Sequence, residues 1–271
     1  MFPKPLRDFP ATREQAHERD LAMAVRKQAA RWRWRAGVAA TALCVLILAL
    51  AWRGSYFDRD PYVETAATAP RSGVTALYFS GDMGLRFGLG TSTADALAAA
   101  GIPVIGFNAP AVFRTRRTPA GTVAIVADAV RHALSRASGD RLVLIGRSYG
   151  ADILAAALPA LPTPLRARIA GVVLLVPARD IFYRADATNI TYLGTPDDDG
   201  HRALRAMRWA PLTCIYGTDE TDSACPGLVQ PNVTLVAMPG GHFLGHDTAA
   251  IVRNVISAIG RMTRITARPM P

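Results

Sequence analysis

The chain has 271 residues, half of them hydrophobic and 19% charged. That excludes a disordered or fibrous protein and leaves room for one large domain or two small ones. The formal charge of +10 is unevenly placed: residues 1–35 hold nine basic and four acidic side chains, and an uncharged stretch follows. A basic head before an apolar gap points to membrane topology rather than to nucleic acid, and no nucleic-acid binding is expected.

Ala36 to Trp52 runs for seventeen residues without a charge. At about 1.5 Å per helical residue it covers roughly 25 Å, the short end of a bilayer core. Arg26, Lys27, Arg31, Arg33 and Arg35 precede it, and Trp32, Trp34 and Trp52 bracket it as interfacial aromatics do. The reading is a basic cytoplasmic head (1–35), a transmembrane anchor (36–52), a polar linker (53–72) and a periplasmic domain (73–271), in the inner membrane with a single pass. A cleaved signal peptide with a small-residue site near Leu48–Ala51 is the rival, and a buried core helix a weaker one.

Further along, strand and helix patterns alternate. Strands are expected at 74–80, 103–107, 141–145, 171–176, 213–216 and 233–238, and helices at 93–100, 122–135, 149–158 and 248–262. Apolar strands that do not alternate in polarity, separated by helices, indicate a mostly parallel sheet covered on both faces. Residues 178–200, with Asp197, Asp198 and Asp199 in a row, read as an inserted loop or small cap. Cys214 and Cys225 are the one cysteine pair beyond the anchor, hence a disulfide candidate in an oxidising compartment, with two unrelated buried thiols as the alternative.

Gly146-Arg147-Ser148-Tyr149-Gly150 is a G-x-S-x-G between an expected strand and an expected helix, where a nucleophile elbow belongs. A serine hydroxyl needs a base, and the base needs an orienting acid, which in this class follow in the order acid, then histidine. His242, directly after the last strand, is the expected base; His246 reads as a solvated or supporting residue and His201 as a surface residue at a helix start. Asp222 is the expected acid, because Asp222–Pro226 imitates a D-x-x-apolar-P loop; Asp219 is the runner-up, and a solvated acidic turn is the alternative for both. The oxyanion donors are expected at the backbone N–H groups of Tyr149 and Asp82, the latter within Ser80–Gly84, which otherwise reads as a plain turn.

The blocks SGDMG, GRSYGAD, CIYGTDETDSACP and MPGGH, in this order between Val74 and Arg261, resemble the VirJ/AcvB family of bacterial virulence proteins. The resemblance implies an α/β-hydrolase-like periplasmic protein that hydrolyses lysyl-phosphatidylglycerol, and implies secretion-system components as further partners. Carried onto this chain, it supports Ser148 as nucleophile, His242 as base and the Asp222 loop as source of the acid. A lysyl ester would place its ammonium groups near carboxylates, for which Asp82, Asp152, Asp219 and Glu220 are candidates. Its phosphate would meet an arginine, Arg147 or Arg86. No P-loop, nucleotide fingerprint or metal cluster is present in the sequence, so no cofactor and no metal is expected. The alternatives are an esterase or thioesterase on another acyl substrate, and a non-catalytic membrane-tethered adaptor for secretion cargo.

Overall fold

The computed structural model describes residues 13–53, 56–86, 89–137 and 140–266. The first twelve residues of the basic head therefore lie outside the described residues, as do the last five of the chain. The described residues up to Leu50 form one compact unit and those from Ala51 a second.

The first unit is helical. Helix α1 (Arg13–Arg53) is 41 residues long, and from Leu21 to Arg53 it is long and apolar enough to cross a membrane. No break separates the expected head from the expected anchor. The sequence across residues 35 and 36 is rich in Ala and Arg, with no proline and Gly37 the one glycine, so nothing stops propagation there.

In the second unit the elements follow as β1 (Tyr62–Thr65), β2 (Val74–Phe79), α2 (Leu89–Ala99), β3 (Val104–Phe107), α3 (Ala109–Phe113), α4 (Pro119–Arg136), β4 (Arg141–Arg147), α5 (Tyr149–Ala157), α6 (Thr163–Arg166) and β5 (Ile169–Leu175). Then come β6 (Asp180–Ile181), β7 (Asp198–Asp199), α7 (Gly200–Ala206), β8 (Leu212–Gly217), β9 (Val233–Met238) and α8 (Thr248–Thr266). Seven strands form one sheet in the order β1-β3-β2-β4-β5-β8-β9; β1 is antiparallel to β3 and every other pairing is parallel. The expected α/β architecture is present.

The inner strands β2, β3, β4, β5 and β8 are buried on both sides, while the edge strands β1 and β9 are partly exposed. Leu77, Leu144 and Val172 face a core closed by α4, α5 and α7, while their neighbours Tyr78, Ile145 and Val173 face a core closed by α2 and α8. Adjacent strand residues point to opposite faces, so continuous apolar runs are what a two-sided sheet demands. Each fully buried side chain of this size stabilises the fold by about 1.5–3 kcal/mol.

One segment differs from expectation, and residues 178–200 take the second of their two expected forms, a small cap. The linker contributes β1, whose Tyr62 pairs with Phe107 and stacks its ring on His132 at 3.6 Å. The Tyr-Val-x-Thr sequence has the β-branched and aromatic residues that an edge strand favours. The 178–200 segment is an organised cap in which each aspartate of the run has a partner. Asp197 accepts from the Tyr183 amide and pairs with Arg116, Asp198 accepts from the Tyr183 hydroxyl and pairs with Arg202, and the Asp199 side chain caps α7. Cys214 and Cys225 are joined in a disulfide.

Candidate active site

Ser148 stands between β4 and α5 with φ 50° and ψ −125°, a left-handed conformation that costs a non-glycine residue about 1–3 kcal/mol. Its surroundings enforce that turn. A Cβ on Gly146 would lie 2.7 Å from Ala151 Cα, and one on Gly150 would lie 2.4 Å from the Phe79 carbonyl oxygen. The Ser148 amide is held by the Leu175 carbonyl at 2.9 Å, and the side chain is raised above the sheet at the start of α5.

The Ser148 hydroxyl lies 2.8 Å from His242 Nε2, and His242 Nδ1 lies 2.7 Å from Glu220 Oε1. With Nδ1 protonated, His242 donates to the Glu220 carboxylate and its free Nε2 accepts from Ser148. This is the geometry of a nucleophile, a base and an orienting acid. The side chain of His242 is 41% exposed, whereas that of Glu220 is 3% exposed. The base therefore faces the pocket while the acid is shut behind it.

The expected acid, Asp222, is not the residue that reaches His242. Strand β8 ends at Gly217, and the Glu220 amide folds back onto the Gly217 carbonyl at 3.1 Å, which returns Glu220 to the strand end. The Asp219 amide binds the Gly240 carbonyl of the histidine loop at 3.0 Å, and a Cβ on Gly217 would meet Gly240 O at 2.3 Å. The two loops thus approach as closely as glycine permits. Asp222 lies beyond this turn, its carbonyl held by the Arg179 amide at 2.7 Å and its neighbour Ser223 bridged to Ala178. That places its exposed side chain on the pocket wall instead.

Above Ser148 lies the Gly81–Gly84 turn, closed by the Gly84 amide on the Gly81 carbonyl at 3.0 Å. Ser80 Oγ accepts from the Ala109 amide, and Asn108 Oδ1 accepts from the Leu85 amide, which pins both ends of the turn to the β3–α3 junction. Turn, elbow, cap and histidine loop enclose a pocket of about 720 Å³. Asp82, Asp152, Asp180 and Asp222 supply carboxylates to its wall, Arg147 a cation, and Phe182, Tyr192 and Phe243 aromatic surface.

A family model for bacterial virulence proteins, VirJ, matches residues 73–263. The chain belongs to this family. No curated protein sequence matches it. In structure it is similar to a siderophore hydrolase, EstB, from Aspergillus fumigatus (13% identity, TM-score 0.56, covering 76% of this chain and 96% of that one). It is also similar to an alpha-beta serine hydrolase homologue from Coxiella burnetii (18% identity, TM-score 0.53, 72% and 89%). A third similar structure is the esterase domain of a Rhodothermus marinus protein (16% identity, TM-score 0.52, 73% and 90%). These likenesses establish the α/β-hydrolase fold.

The VirJ-family site separates the other expected residues into two groups. Asp82, Arg147, Tyr149 and Asp152 all line the pocket with Ser148. Asp219 and Glu220 do not: Asp219 is exposed and paired with the Thr218 hydroxyl, and Glu220 is behind His242. Arg86 is turned to Asp58, 3.7 Å away. His246 stacks on Phe243, and His201 Nδ1 meets the Ala224 carbonyl at 3.0 Å.

Two acids of the pocket hold protons more tightly than ordinary carboxylates. Burial raises Asp152 well above the usual range against the pull of the Ala178 amide, which donates to it at 2.7 Å, and Asp82, Glu220 and Asp222 add to the rise. Burial also raises Asp82, opposed by the Tyr192 hydroxyl and His242. Tyr192, a residue without any sequence motif to mark it, reaches Asp82 Oδ2 at 3.4 Å.

Proposed function

We propose that this VirJ-family chain is a membrane-anchored serine hydrolase whose domain works in the periplasm on the aminoacyl ester of a phospholipid such as lysyl-phosphatidylglycerol. The observation that carries the hydrolase reading is the unbroken Ser148–His242–Glu220 chain of hydrogen bonds, at 2.8 and 2.7 Å, on a strained elbow that opens into a pocket.

Ser148 Oγ attacks the ester carbonyl while His242 Nε2 takes its proton. Glu220 stays ionised, fixes the His242 tautomer and stabilises the imidazolium. The Tyr149 and Asp82 amides, at the start of α5 and in the facing turn, receive the oxyanion. The carbonyl–glycerol bond then breaks, His242 returns the proton to the glycerol oxygen, and the aminoacyl group remains on Ser148. Water activated by His242 completes the cycle and releases the amino acid.

Asp180 and Asp222 on the pocket wall support a substrate that carries ammonium groups, and Arg147 supports a nearby phosphate. The helix from Leu21 to Arg53 and the Cys214–Cys225 bridge support an anchored domain in an oxidising compartment. The test is lysine release from vesicles containing lysyl-phosphatidylglycerol by the full chain in detergent. Release that Ser148→Ala abolishes is expected, with alanyl-phosphatidylglycerol cleaved more slowly. Turnover of simple esters without any cleavage of the lipid would overturn the substrate assignment and keep the hydrolase.

A further inference from the structure

Tyr56 lies three residues past the end of α1, in a stretch that the sequence marks only as linker. Its hydroxyl donates to the Asp82 carbonyl at 2.8 Å and accepts from the Ala187 amide at 2.9 Å. Its own backbone is tied on both sides: the Tyr56 amide donates to the Ala51 carbonyl at 3.0 Å, and Arg114 Nη1 donates to the Tyr56 carbonyl at 2.8 Å. One phenol thus joins the turn above Ser148 to the cap across the pocket.

We propose that Tyr56 is a positioning residue for the hydrolytic site, setting the backbone of Asp82, the residue whose amide the proposed mechanism assigns to the oxyanion. This rests on the serine-hydrolase reading. A trans peptide is planar, with its C=O and N–H pointing in opposite directions. Holding the Asp82 carbonyl therefore fixes the Asp82–Met83 plane, and it limits how far the preceding Gly81–Asp82 peptide, which carries the Asp82 amide, can turn about the Asp82 Cα. The Gly81–Gly84 turn is closed by a single backbone bond and pinned at its two ends to the β3–α3 junction, and the Tyr56 hydroxyl adds an attachment between those ends, at Asp82. The other end of the brace is firm, because Asp186 accepts from the amides and hydroxyls of both Thr188 and Thr191. Burial, with Asp82 and Asp186 close by, pushes the Tyr56 phenol up, so it remains protonated and keeps donating across the working range of pH.

The consequence is that the chain emerging from the apolar helix is part of the catalytic framework as well as a tether. Tyr56→Phe removes the hydroxyl and keeps the ring. In the full-length protein in detergent, with a soluble p-nitrophenyl ester, kcat is expected to fall about 10- to 100-fold with KM changed less than about 3-fold, since oxyanion stabilisation acts on the transition state. Arg114→Gln, which loosens the Tyr56 backbone from an exposed position, is expected to lower kcat in the same sense by less; it serves as the second variant should Tyr56→Phe fail to fold. Activity is normalised to thermally folded protein, so a merely structural role would lower the melting temperature and leave kcat in place. An unchanged kcat in Tyr56→Phe, or in Arg114→Gln if that alone folds, overturns the proposal. If the wild type itself shows no turnover that depends on Ser148, it is the hydrolase reading that fails.

Discussion

His242 is bound to Glu220 through Nδ1 at 2.7 Å, although two aspartates stand within two residues of that glutamate. The turn from Gly217 to Glu220, closed by the Glu220 amide on the Gly217 carbonyl, decides which carboxylate arrives. Glu220→Gln is expected to lower kcat by roughly 10³- to 10⁴-fold, in line with loss of the acid in other triads. Asp222→Asn and Asp219→Asn are expected to leave kcat within about tenfold. Steady-state kinetics on the three variants decides; a larger loss in Asp222→Asn than in Glu220→Gln would contradict the assignment.

Much of this site is legible in the sequence, for local reasons. The elbow is visible because a strand, a sharp turn and a helix leave their own composition around Ser148, and His242 is visible because it follows the last strand directly. Glu220 is not legible as the acid. Three carboxylates occur within Gly217–Asp222, and which of them faces the histidine depends on backbone bonds to the Met238–Gly241 loop that no local pattern reveals. Strand β1 and Tyr56 are hidden for a similar reason. Both sit in a polar, proline-containing stretch, and each acquires its role from a partner far along the chain, Phe107 for Tyr62 and Asp82 for Tyr56. The cysteine pair is legible because β8 and the loop after it are so close in sequence.

The Cys214–Cys225 bridge closes a loop with a sequence separation of 11, next to the turn that presents Glu220. Cys225→Ser is expected to lower stability by about 2–3 kcal/mol on the loop-closure model. Denaturant unfolding of the two proteins measures this. Non-reducing peptide mapping should show the two cysteine peptides linked, and free thiols in oxidised material would contradict the bridge.

Asp152 gives a signed pH dependence. Its folded pKa lies well above its unfolded value because burial disfavours the carboxylate. Its contribution is therefore fully present below the unfolded pKa, near 3.9, and declines as pH rises towards the folded pKa. Asp152→Asn retains an oxygen for the Ala178 amide and carries no charge. The melting temperature of the variant should match or trail the wild type at low pH and exceed it increasingly as pH rises. A difference independent of pH would contradict this.

Topology supplies a further test. A reporter active only outside the cytoplasm, fused after Pro271, is expected to be active, because the arginine-rich start of α1 stays inside. Solubilisation should require detergent; release by osmotic shock would indicate that the helix is removed as a signal peptide.

The most direct test of the account is covalent labelling of Ser148 by a fluorophosphonate, read by peptide mass. The wild type is expected to gain one label, on the peptide that contains Ser148. Ser148→Ala should gain none, and His242→Ala should react at least about 100-fold more slowly, since the base and nucleophile act as one unit. A wild type that remains unlabelled, or a labelling rate indifferent to His242→Ala, would contradict the claim that Ser148, His242 and Glu220 form a working hydrolytic site.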